Sequence, residues 1–151
     1  MSVEAKAAEA ASLTPGRSPL AALRPHRGPL ALFAAVAVLV TWPAVLHLGR
    51  AIPGAPTSDA YDHYWGYWWF AASFADGRLP LRTDVSHWPE GGLLWFVDPV
   101  GALLSLPFQV LGGVAVGYTA AILLQLWGGM TAAYALVWAH ARERGPAVLA
   151  G

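Results

Sequence analysis

GPLALFAAVAVLVTWPAVLHL, residues 28–48, holds 21 positions without a single Asp, Glu, Lys or Arg. About 20 apolar residues in a helix cross the hydrocarbon core of a bilayer. A charge at the centre of such a helix costs about 2.5–3.5 kcal/mol on the insertion scale, so the missing charges are informative. The stretch predicts a first transmembrane helix over 28–48. Pro29 falls at the start, where its missing N–H is harmless. Pro43, in the last third, predicts a kink. Trp42 and His47 lie where amphipathic rings settle at a membrane interface. A basic stretch precedes the run, as in a secretory signal. The run is longer than a signal's apolar core and no small-residue cleavage site follows, which favours a retained anchor.

A second uncharged run covers Pro99 to Ala141, 43 residues and about twice one span. Pro107 and Gly112-Gly113 interrupt it. The preferred division has an interfacial helix over 99–112 and a second transmembrane helix over 113–140. The other division has two spans with a tight turn near Gly112 to Gly117. Gly128-Gly129 and Ala132-Ala133 offer small residues for close helix packing, and Gln125 requires a polar partner. Residues 141–151 form a turn at Gly145-Pro146 and the start of another apolar run. This pattern predicts the N-terminal part of a longer polytopic bundle.

Composition agrees. Of 151 residues, 12% are charged and 56% hydrophobic, where soluble domains carry about 25% charged residues. The formal net charge of zero provides no field to attract nucleic acid. Without cysteine there are no disulfides and no thiolate metal sites. Residues 1–27 are broken by Pro15, Gly16, Pro19 and Pro25 and predict a disordered tail. The tail carries Lys6, Arg17, Arg24 and Arg27, and Arg142 and Arg144 follow the second run. Loop 49–98 carries Arg50, Arg78 and Arg82 against six acids. The positive-inside bias therefore places the tail in the cytoplasm and the loop outside. The fold class expected is an all-α membrane protein, two transmembrane helices flanking an extracytoplasmic loop with interfacial helices.

Within the loop, residues 59–75 predict a helix lying on the membrane surface. Tyr61, Trp65 and Trp69 recur at i, i+4 and i+8; Ser58 or Asp59 can cap its start and Gly77 can close it. Asp59, Asp62 and His63 share one helical face. Two carboxylates and an imidazole beside a span suit general-base chemistry or a hard cation. A solvated, acidic helix start favoured by the macrodipole explains them equally. No second histidine follows at zinc-ligand spacing. Trp65 and Trp69, with Trp68, Trp88 and Trp95, form an aromatic belt or a stacking surface for sugar rings. Arg82 and His87 can approach an anionic phosphate. The sequence holds no glycine-rich phosphate loop and no nucleophile elbow.

Five stretches then line up: Asp59 to Phe70, Asp76-Gly77-Arg78-Leu79-Pro80, Trp88-Pro89-Glu90-Gly91-Gly92, Leu106 to Gly112, and Ala133-Tyr134-Ala135-Leu136-Val137. Their order and spacing resemble the N-terminal region of bacterial polytopic glycosyltransferases of the GT-C superfamily. The resemblance implies a multi-pass protein of the bacterial plasma membrane with a cytoplasmic N-terminus. It implies transfer of a sugar from a polyprenyl-phosphate donor to an extracytoplasmic acceptor, with inversion. An acidic residue in the first external loop is the usual catalytic base or metal-associated group, and some relatives use a divalent cation. Asp59 stands at the matching position with Asp62 nearby. In the family's common pattern the two acids are adjacent; here Ala60-Tyr61 separates them, which makes Asp59 the better base. Activity would require the remaining transmembrane helices. A non-catalytic small membrane subunit packing on a partner protein is the alternative, and a transporter fragment a third reading.

Overall fold

A computed structural model describes residues 24–55, 57–85, 89–93 and 98–151. The expected tail lies outside these residues up to position 23. The described chain is mostly helical: α1 (Arg27–Val40), α2 (Ala60–Ala75), α3 (Pro99–Gly112), α4 (Val114–Ala141) and α5 (Arg144–Ala150). Two-residue strands β1 (Arg82–Thr83) and β2 (Gly92–Leu93) pair antiparallel, Arg82 opposite Leu93 and Thr83 opposite Gly92.

Among the described residues, α4 alone is long and apolar enough to cross a membrane, with 28 residues and a mean hydropathy of 1.5. At 1.5 Å per residue it extends about 42 Å. The single helix expected over 28–48 stops at Val40, and a 3-10 turn, Ala44–His47, follows. Pro43 causes the stop. It has no N–H to offer, its ring clashes with the carbonyl four residues back, and it disfavours helical geometry at Trp42. Leu39 O, which Pro43 cannot serve, accepts from Trp42 N at 3.2 Å, and the Thr41 hydroxyl donates to Ala37 O at 2.9 Å and Val38 O at 3.2 Å. α1 is therefore 14 residues, about 21 Å, with a non-helical extension where a kinked helix was expected.

α1 runs antiparallel to the C-terminal half of α4. His26 Nδ1 lies 2.7 Å from the Tyr134 hydroxyl, the Phe33 and Tyr134 rings meet edge to face at 5.9 Å, and Trp127 Nε1 donates to Leu30 O at 3.1 Å. Farther along, Gly49 comes up to Val116. Arg142, in a left-handed conformation at φ 57°, reverses the chain. α5 then folds back so that Ala147 is buried with Phe33 and Tyr134.

α3 and α4 form a tight antiparallel hairpin. Gly113 makes the turn with φ 83°, a conformation that favours glycine. Small residues set the spacing. Gly117 faces Gln109 and Ser105, and a methyl group there would overlap the Gln109 side chain and stand 3.0 Å from Ser105 O. α2 packs across this hairpin, burying Tyr67 and Phe70 against Ala102, Tyr118 and Ala121. It ends in a Schellman motif: Gly77 (φ 68°) N–H donates to Phe74 O at 3.0 Å and Arg78 N–H to Ser73 O at 2.8 Å.

Gly117→Ala should lower hairpin stability by about 1–3 kcal/mol, because the added methyl meets backbone and a side chain pinned at both ends. Gly128→Ala, with no atom within 4 Å of the added carbon, should leave it nearly unchanged. Thermal unfolding of the detergent-solubilised protein, followed by circular dichroism, compares the two.

Candidate functional site

Two clefts flank α2, one at each end. The first has a volume of about 390 Å³. Arg50 and Gly49–Ala55 form one wall, Tyr61 and Tyr64 of α2 another, and Ala115 of α4 closes it. Asp59 and Asp62 flank its lining residues Ala60 and Tyr61 in sequence and are not themselves among the residues that line it. Both carboxylates are exposed. Asp59 is the N-cap residue of α2 but its side chain bonds no backbone N–H; Ser58 Oγ approaches Ala60 N at 3.4 Å instead. The two acids are thus not consumed in capping. His63 is half-buried one turn on, its N–H donating to Asp59 O at 3.1 Å. Among the described residues no three His, Asp or Glu side chains converge to hold a metal ion.

The second cleft, about 210 Å³, lies beyond the C-terminal half of α2 and is lined by Trp69, Arg78, Arg82, Thr83, Asp84 and Glu90. Trp69 Nε1 donates to Arg82 O at 3.1 Å, which fixes β1 against the helix. Trp65 stacks on Trp69 at 5.9 Å with an interplanar angle of 8°, and the Arg78 guanidinium sits 5.8 Å from the Trp69 ring centre. Trp69 is only 5% exposed. It therefore has no open face for a sugar and serves as packing. Trp65 is half-buried beside it, and Trp68 is more open.

Asp59, Asp62 and His63 lie at the start of α2, next in sequence to residues of the first cleft, but do not themselves line it. The structure places Trp69 and Arg82 at the other end of α2, about 15 Å away at 1.5 Å per helical residue. These two groups cannot touch one small substrate at the same time. His87 lies outside the described residues.

A third polar group, not singled out from sequence, joins the two halves of the fold. Asp98 Oδ1 accepts from Gly101 N at 3.0 Å and caps α3. Its Oδ2 accepts from the Tyr67 hydroxyl of α2 at 3.1 Å and from the Gln125 side-chain amide of α4. Gly101 is packed so closely that a Cβ there would overlap the Tyr67 hydroxyl and Asp98 Oδ2. A carboxylate has no hydrogen to donate, and three donors match its acceptors. Gln109 adds a second tie, donating to Tyr67 O at 3.0 Å and Ser105 Oγ at 2.8 Å. The available signals were the Asp98-Pro99 start of an apolar helix and the unpartnered Gln125.

Comparison with family models, with curated proteins and with solved structures finds no match for this chain.

Asp98→Ala should destabilise the fold by about 1–3 kcal/mol, since Tyr67 and Gln125 are left with unpaired donors. Tyr67→Phe should cost less, about 0.5–1.5 kcal/mol, as it removes one bond and leaves the carboxylate two donors. The double variant should cost less than the sum. Additive unfolding free energies would show that the contact contributes no coupling.

Proposed function

We propose that this chain is the membrane-anchoring first part of a GT-C-type glycosyltransferase that takes a sugar from a polyprenyl-phosphate donor and passes it to an extracytoplasmic acceptor. The reading makes it a multi-pass protein of the bacterial plasma membrane with a cytoplasmic N-terminus, α1 with its extension and α4 as its first two spans. One observation supports it above the others: two exposed carboxylates, Asp59 without a capping bond, stand at the start of the helix whose Ala60, Tyr61 and Tyr64 share a cleft with Arg50. Inverting transfer needs a base to take the proton of the acceptor hydroxyl as that oxygen attacks the anomeric carbon. Asp59 is suited to this role, with Asp62 and His63 beside it. Arg50 is the cation on the opposite wall that a donor phosphate would meet. A divalent cation, as in some relatives, would be held at Asp59 and Asp62 with donor oxygens completing its shell.

The packing-subunit reading keeps one supporting observation. Gly128 and Gly129 of α4 have open space where a side chain would stand, which suits close contact with another helix. Further helices of the same polytopic protein fill that role equally.

The test is complementation of a strain deleted for the complete gene, with glycans and glycolipids measured by mass spectrometry. The unaltered gene must restore a missing product. Asp59→Asn should then reduce it by about 10²-fold or more, the usual contribution of a positioned base, while the protein accumulates normally in the membrane. Full restoration by Asp59→Asn would reduce the acid group to a solvated helix start. Absence of any glycan difference in the deletion strain would favour the subunit reading.

A further inference from the structure

α3 has its polarity reversed relative to a surface helix. Its two polar side chains, Ser105 and Gln109, both face inward and are bonded there: Ser105 donates to Ala102 O at 2.6 Å, and Gln109 donates to Ser105 Oγ and Tyr67 O. Gly101 and Ala102 complete the buried side. The outward side carries Val100, Leu103, Leu104, Pro107, Val110 and Leu111, with Val110 88% and Leu111 83% exposed. At 100° per residue these six fall within an arc of about 120°. A helix resting on a membrane surface keeps a strongly polar face toward water, and α3 has none. The apolar surface continues on α4 through exposed Leu124, Trp127 and Leu136.

The packing also fixes its depth. Arg50 shares a cleft wall with Ala115, so the outer charged flank of the first segment is level with the start of α4. The inner flank is level with Tyr134, where His26 is bonded beside Arg27. From Ala115 to Tyr134 is 19 positions, about 29 Å of helix, close to the roughly 30 Å of a bilayer's hydrocarbon core. α3 packs alongside α4 between Gly117, met by Gln109, and Gln125, met by Asp98. It therefore lies within that layer, in its outer half.

We propose that α3 is a re-entrant helix immersed in the outer leaflet, its outward face covered by lipid acyl chains. α3 starts at its deepest point, Asp98, whose carboxylate is met there by three donors, and climbs to the surface at Gly112-Gly113. Buried irregular backbone at such depth is tolerated because protein groups satisfy it. This replaces the interfacial position expected for residues 99–112. It rests on α1 and α4 crossing the membrane and is independent of the glycosyltransferase reading.

The chain has no native cysteine, so single nitroxide labels can be placed without background. Leu104→Cys, Val110→Cys and Leu111→Cys lie on the exposed face and leave the packed side intact. Leu32→Cys, exposed on α1 within the same layer, is the lipid reference and Glu143→Cys the aqueous one. The labelled full chain is reconstituted in vesicles of phosphatidylcholine and phosphatidylglycerol. Collisions with oxygen and with a water-soluble nickel chelate are measured by electron paramagnetic resonance. A polar chelate is excluded from hydrocarbon, so nickel collisions at Leu104 should be about tenfold or more below those at Glu143. Oxygen collisions there should match Leu32, and nickel access should rise from Leu104 to Leu111 as the helix climbs. Nickel access at Leu104 equal to Glu143, or no gradient along α3, would overturn the proposal in favour of a flat surface helix. Shielding from both reagents would overturn it in favour of cover by a second copy or another helix. Nickel access at Leu32 would overturn it together with the membrane reading of α1.

Discussion

Asp98 accepts hydrogen bonds from its own helix, from α2 and from α4. Most of the arrangement around the outer half of α4 follows from satisfying this one carboxylate. Asp98 is half-buried, and protein donors from three elements take the place of part of its water. Tyr67 and Gln125 can reach it only if α2 lies across the hairpin and α3 lies along α4. Gly101 is required because no larger residue leaves room for the convergence. The direction of α2 then places Tyr61 and Tyr64 in one cleft with Arg50. The first cleft, although built from other residues, owes its position to Asp98.

The inner half of α4 is organised differently. His26, Phe33, Tyr134 and Trp138 pack with ring centres between 5.4 and 6.5 Å apart. Three of these pairs are edge to face and Tyr134–Trp138 is stacked; such aromatic pairs each contribute about 0.5–1.5 kcal/mol beyond area burial. α5 adds Ala147 to the same group. The fold therefore has a polar joint at one end of its longest helix and an aromatic one at the other, and α1 with its extension connects the two levels.

Local features were legible in the sequence and distant pairings were not. The uncharged 43-residue run announced the hairpin and its glycine interruption, since an absent charge is visible without a partner. Gly77 marked the end of α2 because a left-handed residue after a helix strongly selects glycine. Pro43 was visible as a perturbation, but kink and termination differ by the hydrogen bonding of Thr41, which is settled only in three dimensions. Gln125 visibly lacked a partner; the partner lies 27 residues away in a loop whose acids all looked solvated. Asp98 could not be told from Asp84 by spacing. Trp65 and Trp69 were correctly placed as neighbours on a helix. Periodicity does not say which indole is covered, and Trp69 proved to be closed on both sides.

The first cleft is bounded by three independent segments: the chain leaving α1, the start of α2 and the start of α4. α4 is about 12 Å longer than a typical hydrocarbon core is thick, an excess that a helix accommodates by tilting or by protruding. Ala115 lies at the outer end of that helix, where a change of tilt produces its largest displacement. Arg50 is tied to α1 and the tyrosines to α2, so they do not share the motion in full. On the proposed membrane reading, the gap between them would be mechanically coupled to bilayer thickness, and lipid composition would set the cleft's aperture.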